Sequence, residues 1–308
     1  MKIVFLDAAT LGSASLERIA SLGDLVTYAT STPEEALKRV FDAEVIITNK
    51  VKVTGELMDA APGLRLICEA ATGVNNIDLM AAEARGITVR NVTRYSTDSV
   101  AQLVFCQILT LACHEREYDR KVKSGEYSSS SLFTDVSNPF TELSGKTLGV
   151  IGMGNIGKKV ASIAVAFGMR VIYYSTTRTS HCTDFPSVSL EELLEESDVV
   201  TIHAPLNGAT DALIGRRELS LMKRSAILVN MARGGIVVEK DLADAISEGI
   251  IAGAAVDTFT QEPLPAEHPY LHTAHPECLL LTPHVGWASS EAIDRLIAGI
   301  ADNIKQGY

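Results

Sequence analysis

Short apolar runs alternate with helical patterns along most of the chain. In the first third, the runs at residues 2–6, 25–28, 45–48, 65–68 and 87–89 have the length and side-chain character of buried strands. Segments with helix start signals lie between them. Thr32-Pro33-Glu34-Glu35 combines an N-cap threonine, a proline at the first helical position and a capping-box glutamate. Asp78 is placed to cap a helix that ends at Gly86. Alternation of this kind makes a parallel sheet covered on both faces.

A long helix is predicted from about Asp98 towards Ser124, with Gly125 as its stop signal. Its first half is apolar almost all round, which calls for burial on every side, between domains or between subunits. Residues 128–139 are polar and irregular. A second alternating series starts at Lys146, with strands at 147–151, 170–174, 199–202, 226–230, 252–256 and 279–281. Its helices are expected at 155–167, 190–196, 216–222 and 240–248, with a capping box at Ser189-Leu190-Glu191-Glu192. A last helical pattern covers 289–305. The chain therefore reads as two similar architectural halves, without a solenoid repeat.

Composition narrows the class. The 308 residues are 46% hydrophobic and 21% charged, which fits about two globular domains and argues against disorder. The net charge is -11 and the basic residues form no cluster, so a nucleic-acid footprint is lacking. Five cysteines (Cys68, Cys106, Cys113, Cys182, Cys278) are widely spaced with no CxxC pair, so neither a metal site nor a disulfide framework is expected. Cys68, Cys106 and Cys278 lie in apolar runs and read as small hydrophobes. The most apolar stretch, 100–113, contains Gln102 and Gln107 and falls short of the ~20 residues that span a bilayer. The start of the chain has too short an apolar run for a signal peptide. No membrane contact and a reduced, cytoplasmic setting are the expectations.

The chemistry starts at Gly152-Met153-Gly154-Asn155-Ile156-Gly157, a GxGxxG element between a predicted strand and a predicted helix. Gly152 permits the tight turn, Gly154 lets backbone approach a pyrophosphate, and Gly157 lets the helix pack close to the strand. The helix opening at Asn155 and Ile156 then offers free N–H groups to the anion. A dinucleotide site of this kind usually carries an acid about 20 residues on, for the ribose 2′-hydroxyl. Here that position is Ser175, followed by Thr176, Thr177 and Arg178. Such a loop tolerates a 2′-phosphate and weighs slightly towards NADP over NAD; a solvated, indifferent loop is the other reading.

Three more segments follow successive strands: Asn230-Met231-Ala232-Arg233-Gly234-Gly235, Asp257-Thr258-Phe259-Thr260-Gln261-Glu262-Pro263 and Thr282-Pro283-His284-Val285-Gly286-Trp287. Sites of doubly wound sheets lie at the carboxyl ends of strands, so these loops can bring one arginine, one glutamate and one histidine together. With the glycine motif and Ala71-Thr72-Gly73-Val74-Asn75-Asn76-Ile77-Asp78, the chain resembles the D-isomer-specific 2-hydroxyacid dehydrogenase family over essentially its whole length. Asn49-Lys50-Val51, Tyr95-Ser96-Thr97 and Trp287 are most similar to the glycerate dehydrogenase, or hydroxypyruvate reductase, branch. Ser175 departs from the family's frequent aspartate.

The resemblance implies an α/β protein of two doubly wound parallel-sheet domains, a Rossmann nucleotide domain at 98–283 inserted into a flavodoxin-like substrate domain at 1–97 that 284–308 completes. It implies a likeness to homodimers built on the long helix. It also implies hydride transfer between NAD(P)H and a small 2-keto acid, with Arg233, Glu262 and His284 as the catalytic set. Arg233 would grip the carboxylate through its planar fork. His284 would protonate the carbonyl oxygen, with Glu262 orienting the imidazole. Cofactor contacts are implied for Ala204, Met231, Ala232, Arg233, Asp257, His284 and Gly286. Substrate contacts are implied for Lys50, Thr72, Gly73, Val74, Arg233, His284 and Trp287. Two other readings are open: a family member acting on D-lactate or phosphoglycerate, and a non-enzymatic dinucleotide-sensing corepressor. No basic residue lies in Ala70-Ala71-Thr72 to meet a phosphate substrate.

Overall fold

A computed structural model describes residues 1–177, 179 and 182–307. The chain forms two compact units, one made of Met1–Ser96 and the chain from Trp287 on, the other of Thr97–Gly286.

The first unit contains β1 (Lys2–Phe5), α1 (Glu17–Ala20), β2 (Asp24–Thr27), α2 (Pro33–Arg39), β3 (Val45–Thr48), α3 (Gly55–Asp59), β4 (Leu66–Glu69), α4 (Leu79–Ala84) and β5 (Thr88–Arg90). The sheet order is β2-β1-β3-β4-β5, and every pairing is parallel. This is the flavodoxin-like order. Period-two alternation divides the core. Ile3, Phe5, Val45, Ile47, Leu66 and Cys68 face one side, while Val4, Leu6, Ile46 and Ile67 face the other. Burial on both faces explains the unbroken apolar runs. The start signals behave as their chemistry dictates. The Thr32 hydroxyl accepts from the Glu35 N–H at 3.2 Å, and the Glu35 carboxylate accepts from the Thr32 N–H at 2.9 Å. Asp78 accepts from the Ala81 N–H at 2.9 Å.

The second unit contains α5 (Thr97–Cys113), α6 (Glu115–Lys123), β6 (Thr147–Ile151), α7 (Asn155–Ala166), β7 (Arg170–Tyr174), α8 (Leu190–Glu196), β8 (Val199–Ile202), α9 (Arg216–Leu221), β9 (Ile227–Asn230), α10 (Glu239–Ser247), β10 (Gly253–Val256) and β11 (Leu279–Leu281). The order is β7-β6-β8-β9-β10-β11, again all parallel. A bridge from Tyr173 to Ser187 extends the β7 edge. Helices α5 and α7 cover one face, where Val104 and Ile108 join Val150, Val229 and Ala255. Helices α8, α9 and α10 cover the other, around Ile172, Val200, Leu228 and Val256. The winding order reverses between β6 and β8, with β7 laid on one side of β6 and β8 on the other, which puts the Gly152 turn at the topological switch point. The chain then returns to the first unit in α11 (Ser290–Gln306), which packs with α1 around Ile19 and Leu296.

Three features differ from the sequence reading. The long helix breaks at His114, whose φ is 52°. The Ala112 carbonyl accepts from Thr141 N at 2.9 Å, so an incoming loop replaces the next helical donor. Cys106 is exposed within the single chain while Gln107 on the same helix is buried. The return between units lies at 286/287 rather than 283/284, because Asp257 ties residues 285 and 286 to the second sheet.

Candidate active site

The Gly152 turn follows β6. Gly152 has a φ of +93°, and a Cβ there would sit 2.8 Å from Ala204 N, so only glycine lets the turn meet the end of β8. A Cβ on Gly157 would sit 2.3 Å from Gly152 O, so this residue sets the closeness of α7 to the turn. Gly154 is different. It is the N-cap of α7, has no side-chain cap, and has open space where a Cβ would project. The turn therefore leaves backbone N–H groups beside an open surface, at the positive end of a twelve-residue helix. These residues fit a pyrophosphate. The Ser175 hydroxyl at the end of β7 donates to Thr179 O at 2.8 Å and meets the Thr177 hydroxyl at 3.2 Å. Thr176 is half-buried beside it. Arg178, the last residue of the loop read above as tolerating a 2′-phosphate, lies outside the described residues.

The β9 loop is held by Asn230, which is buried. Its amide donates to Arg233 O at 3.0 Å, and its carbonyl accepts from Ala232 N at 3.1 Å. Met231 and Ala232 are buried, and Arg233 is half-buried. The guanidinium donates to Ala232 O at 2.7 Å and has no carboxylate within ion-pair distance among the described residues. Its charge is thus uncompensated by the described residues, as an anion site requires.

Asp257, after β10, is 2% exposed and latches the last loop. It accepts from the Thr282 hydroxyl at 2.6 Å, Val285 N at 2.9 Å and Gly286 N at 2.8 Å. Burial pushes its carboxyl above the ordinary range, opposed by the Thr282, Gly286 and Val285 hydrogen bonds and then by the His284 charge. A Cβ on Gly286 would sit 2.9 Å from Asp257 Oδ2, which accounts for that glycine. The latched loop presents His284 with a φ of 53°, a left-handed conformation that a non-glycine residue adopts at some energetic cost. His284 Nδ1 meets Glu262 Oε2 at 2.8 Å and Oε1 at 3.1 Å. Glu262 Oε1 also accepts from Phe259 N at 3.0 Å, which fixes the carboxylate. With Nδ1 so engaged, Nε2 is the ring nitrogen left for a ligand.

The remaining residues belong to the first unit. Lys50 is exposed, and its backbone N–H, with those of Asn49 and Val51, donates to the buried Asp7 carboxylate at 2.6–3.1 Å. Thr72 is exposed and its hydroxyl donates to Val92 O at 3.0 Å, while Gly73 and Val74 are half-buried. Trp287 packs edge-on to Tyr95, with centroids 6.3 Å apart.

Several charged or polar groups here left no sequence signal. Glu69, at the end of β4, is wholly buried, and its Oε2 accepts from Asn76 Nδ2 at 2.9 Å. Its carboxyl is pushed up to about 8 by burial. His203, after β8 beside the Gly152 turn, is pushed down to about 3 by burial, and its ring nitrogens have no partner among the described residues. A groove of about 960 Å³ opens at the other end of the second sheet, lined by Lys146, Asp198, Ser225 and Cys278 at the strand starts, and is remote from these loops.

Comparison with known proteins decides the family. The sequence profile described as "D-isomer specific 2-hydroxyacid dehydrogenase, NAD binding domain" matches residues 105–286. The chain belongs to this family. The dehydrogenase is 38% identical to a glycerate dehydrogenase of Methylorubrum extorquens, over 99% of this chain and 95% of that one. It is 32% identical to a hydroxypyruvate reductase of Blautia hydrogenotrophica, over 99% and 96% of the two chains. Its fold matches that of a D-lactate dehydrogenase of Aquifex aeolicus solved with NAD and lactic acid, with a TM-score of 0.85, 29% identity, and 99% and 94% coverage. The open Gly154 surface fits the nicotinamide dinucleotide that this family binds.

Proposed function

We propose that this dehydrogenase reduces hydroxypyruvate or glyoxylate to D-glycerate or glycolate, using either dinucleotide with a slight preference for NADPH. The observation that carries the reading is the His284–Glu262 pair at 2.8 Å on a loop that Asp257 latches. The names of the glycerate dehydrogenase and hydroxypyruvate reductase relatives support the substrate class.

The bound dinucleotide supplies a hydride to the carbonyl carbon. His284 Nε2 gives the proton to the carbonyl oxygen, and Glu262 keeps Nδ1 as a donor and orients the ring. Arg233 pairs with the substrate carboxylate. The N–H groups of Asn155, Ile156 and Gly157 take the pyrophosphate. Ala204, Met231, Ala232, Asp257 and Gly286 are assigned to the cofactor, and Lys50, Thr72, Gly73, Val74 and Trp287 to the substrate. Met1–Ser96 is accordingly the substrate unit, and Thr97–Gly286 the nucleotide unit.

A homodimer is part of the same proposal. Leu132, Phe133, Val136 and Phe140 expose 60–90% of their surface, and α5 exposes Gln102 and Cys106 along one stripe. Apolar area of this kind is costly to leave in water.

The cofactor test is kcat/KM for NADH and NADPH at saturating hydroxypyruvate, in the wild type and in Ser175→Asp. A carboxylate at the end of β7 repels a 2′-phosphate and pairs with ribose hydroxyls, so the variant is expected to favour NADH. A wild type that strongly prefers NADH would contradict the slight preference for NADPH, and absence of turnover with any 2-keto acid would contradict the function.

A further inference from the structure

Glu239 stands on the first turn of α10, and two donors from the loop that carries Glu262 converge on its carboxylate. Oε1 accepts from Thr260 N at 2.7 Å, and Oε2 meets His268 Nε2 at 3.0 Å. His268 is 8% exposed, and its Nδ1 accepts from Tyr270 N at 3.2 Å. A neutral imidazole has one donor and one acceptor. Since Tyr270 N–H takes Nδ1 as acceptor, Nε2 bears the proton and gives it to Glu239. The direction of every bond in the chain is thereby set.

This cluster grips both ends of the segment that holds Glu262. Phe259 and Tyr270 pack against the His268 ring, with centroids 6.2 and 4.8 Å away. Phe259 N donates to Glu262 Oε1 at 3.0 Å, so the anchored backbone at 259–260 positions the carboxylate directly. The same backbone lies against the turn after Arg233: a Cβ on Gly234 would fall 2.0 Å from the Phe259 carbonyl carbon. The loop is therefore clamped between the arginine turn and α10.

We propose that Glu239 and His268 are a positioning pair that holds Glu262 in line with His284 Nδ1. The proposal rests on His284 as the proton donor. The carboxylate is specifically needed. An amide at 239 offers one acceptor and one N–H₂ group, so either Thr260 N–H or His268 Nε2–H would face another donor. His268 has a narrower requirement. Glutamine keeps a donor at the Nε2 position, within reach of Glu239, whereas asparagine is too short to reach it.

The test is NMR titration of the His284 imidazole in the full chain carrying labelled histidine, assigned by its loss in His284→Gln and needing no substrate. Glu262→Gln provides the reference displacement of the midpoint, because the ring loses its carboxylate partner. Glu239→Gln is expected to produce at least half of that displacement, with kcat for hydroxypyruvate lowered about tenfold and dinucleotide affinity kept. His268→Gln should titrate like the wild type, and His268→Asn like Glu239→Gln. Should Glu239→Gln fail to fold, the two His268 variants decide. An unmoved His284 midpoint in Glu239→Gln, or the same midpoint in both His268 variants, would overturn the pair. A midpoint that moves as expected in a protein without keto-acid turnover keeps the pair and overturns the proposed reaction instead.

Discussion

At the level of single residues, Arg233, Glu262 and His284 were visible because each sits a few positions after a strand whose apolar run marks it. Their partners were less visible. Asn230 shapes the Arg233 turn through two side-chain hydrogen bonds that no spacing rule announces. Glu239 and His268 are 29 positions apart and meet only because α10 folds back beside the β10 loop. The lack of a carboxylate around Arg233 among the described residues also belongs to the folded protein. It leads to a direct expectation. Lysine keeps the charge but cannot make paired, planar contacts with a carboxylate. Arg233→Lys should lose about 1.5–3 kcal/mol of transition-state binding, on the order of ten- to a hundredfold in kcat/KM for hydroxypyruvate. NADPH affinity by fluorescence titration should be nearly unchanged. Near-wild-type kinetics would remove Arg233 from the substrate site.

Among the elements, strand positions were legible to within a residue because burial on both faces leaves continuous apolar runs, as at Val45–Thr48 and Val199–Ile202. The break at His114 was not legible. No glycine or proline marks it, and its cause is a hydrogen bond from Thr141, 29 residues away from Ala112. The glycine turn shows how one motif divides its work. Gly157 is constrained by the protein itself, Gly154 by what the protein leaves open. Gly157→Ala should cost about 1–3 kcal/mol of stability, since its Cβ has no room against Gly152 O. Gly154→Ala should melt within about 0.5 kcal/mol of the wild type, yet bind dinucleotide more weakly, because its methyl group projects where the pyrophosphate approaches. Thermal melts beside dinucleotide titrations separate the two. Wild-type binding by Gly154→Ala would place the pyrophosphate elsewhere.

For the molecule as a whole, the division into two parallel-sheet units followed from the repeated strand–helix alternation, while their boundary depended on Asp257, whose hold on 285 and 286 is a tertiary fact. The cofactor choice stayed partly hidden because Arg178 lies outside the described residues. The exposed apolar side chains at 132–140 carry the expectation of a dimer: light scattering after gel filtration should give twice the 33.0 kDa chain mass, and a monomer at micromolar concentration would contradict it. The central claim concerns the reaction. Hydride delivery to one face of hydroxypyruvate, with Arg233 and His284 fixing the carboxylate and the carbonyl oxygen, must yield a single enantiomer. The most direct measurement is chiral chromatography of the glycerate formed from hydroxypyruvate and NADPH. D-Glycerate alone is the predicted result; L-glycerate, a racemate or no product would contradict it.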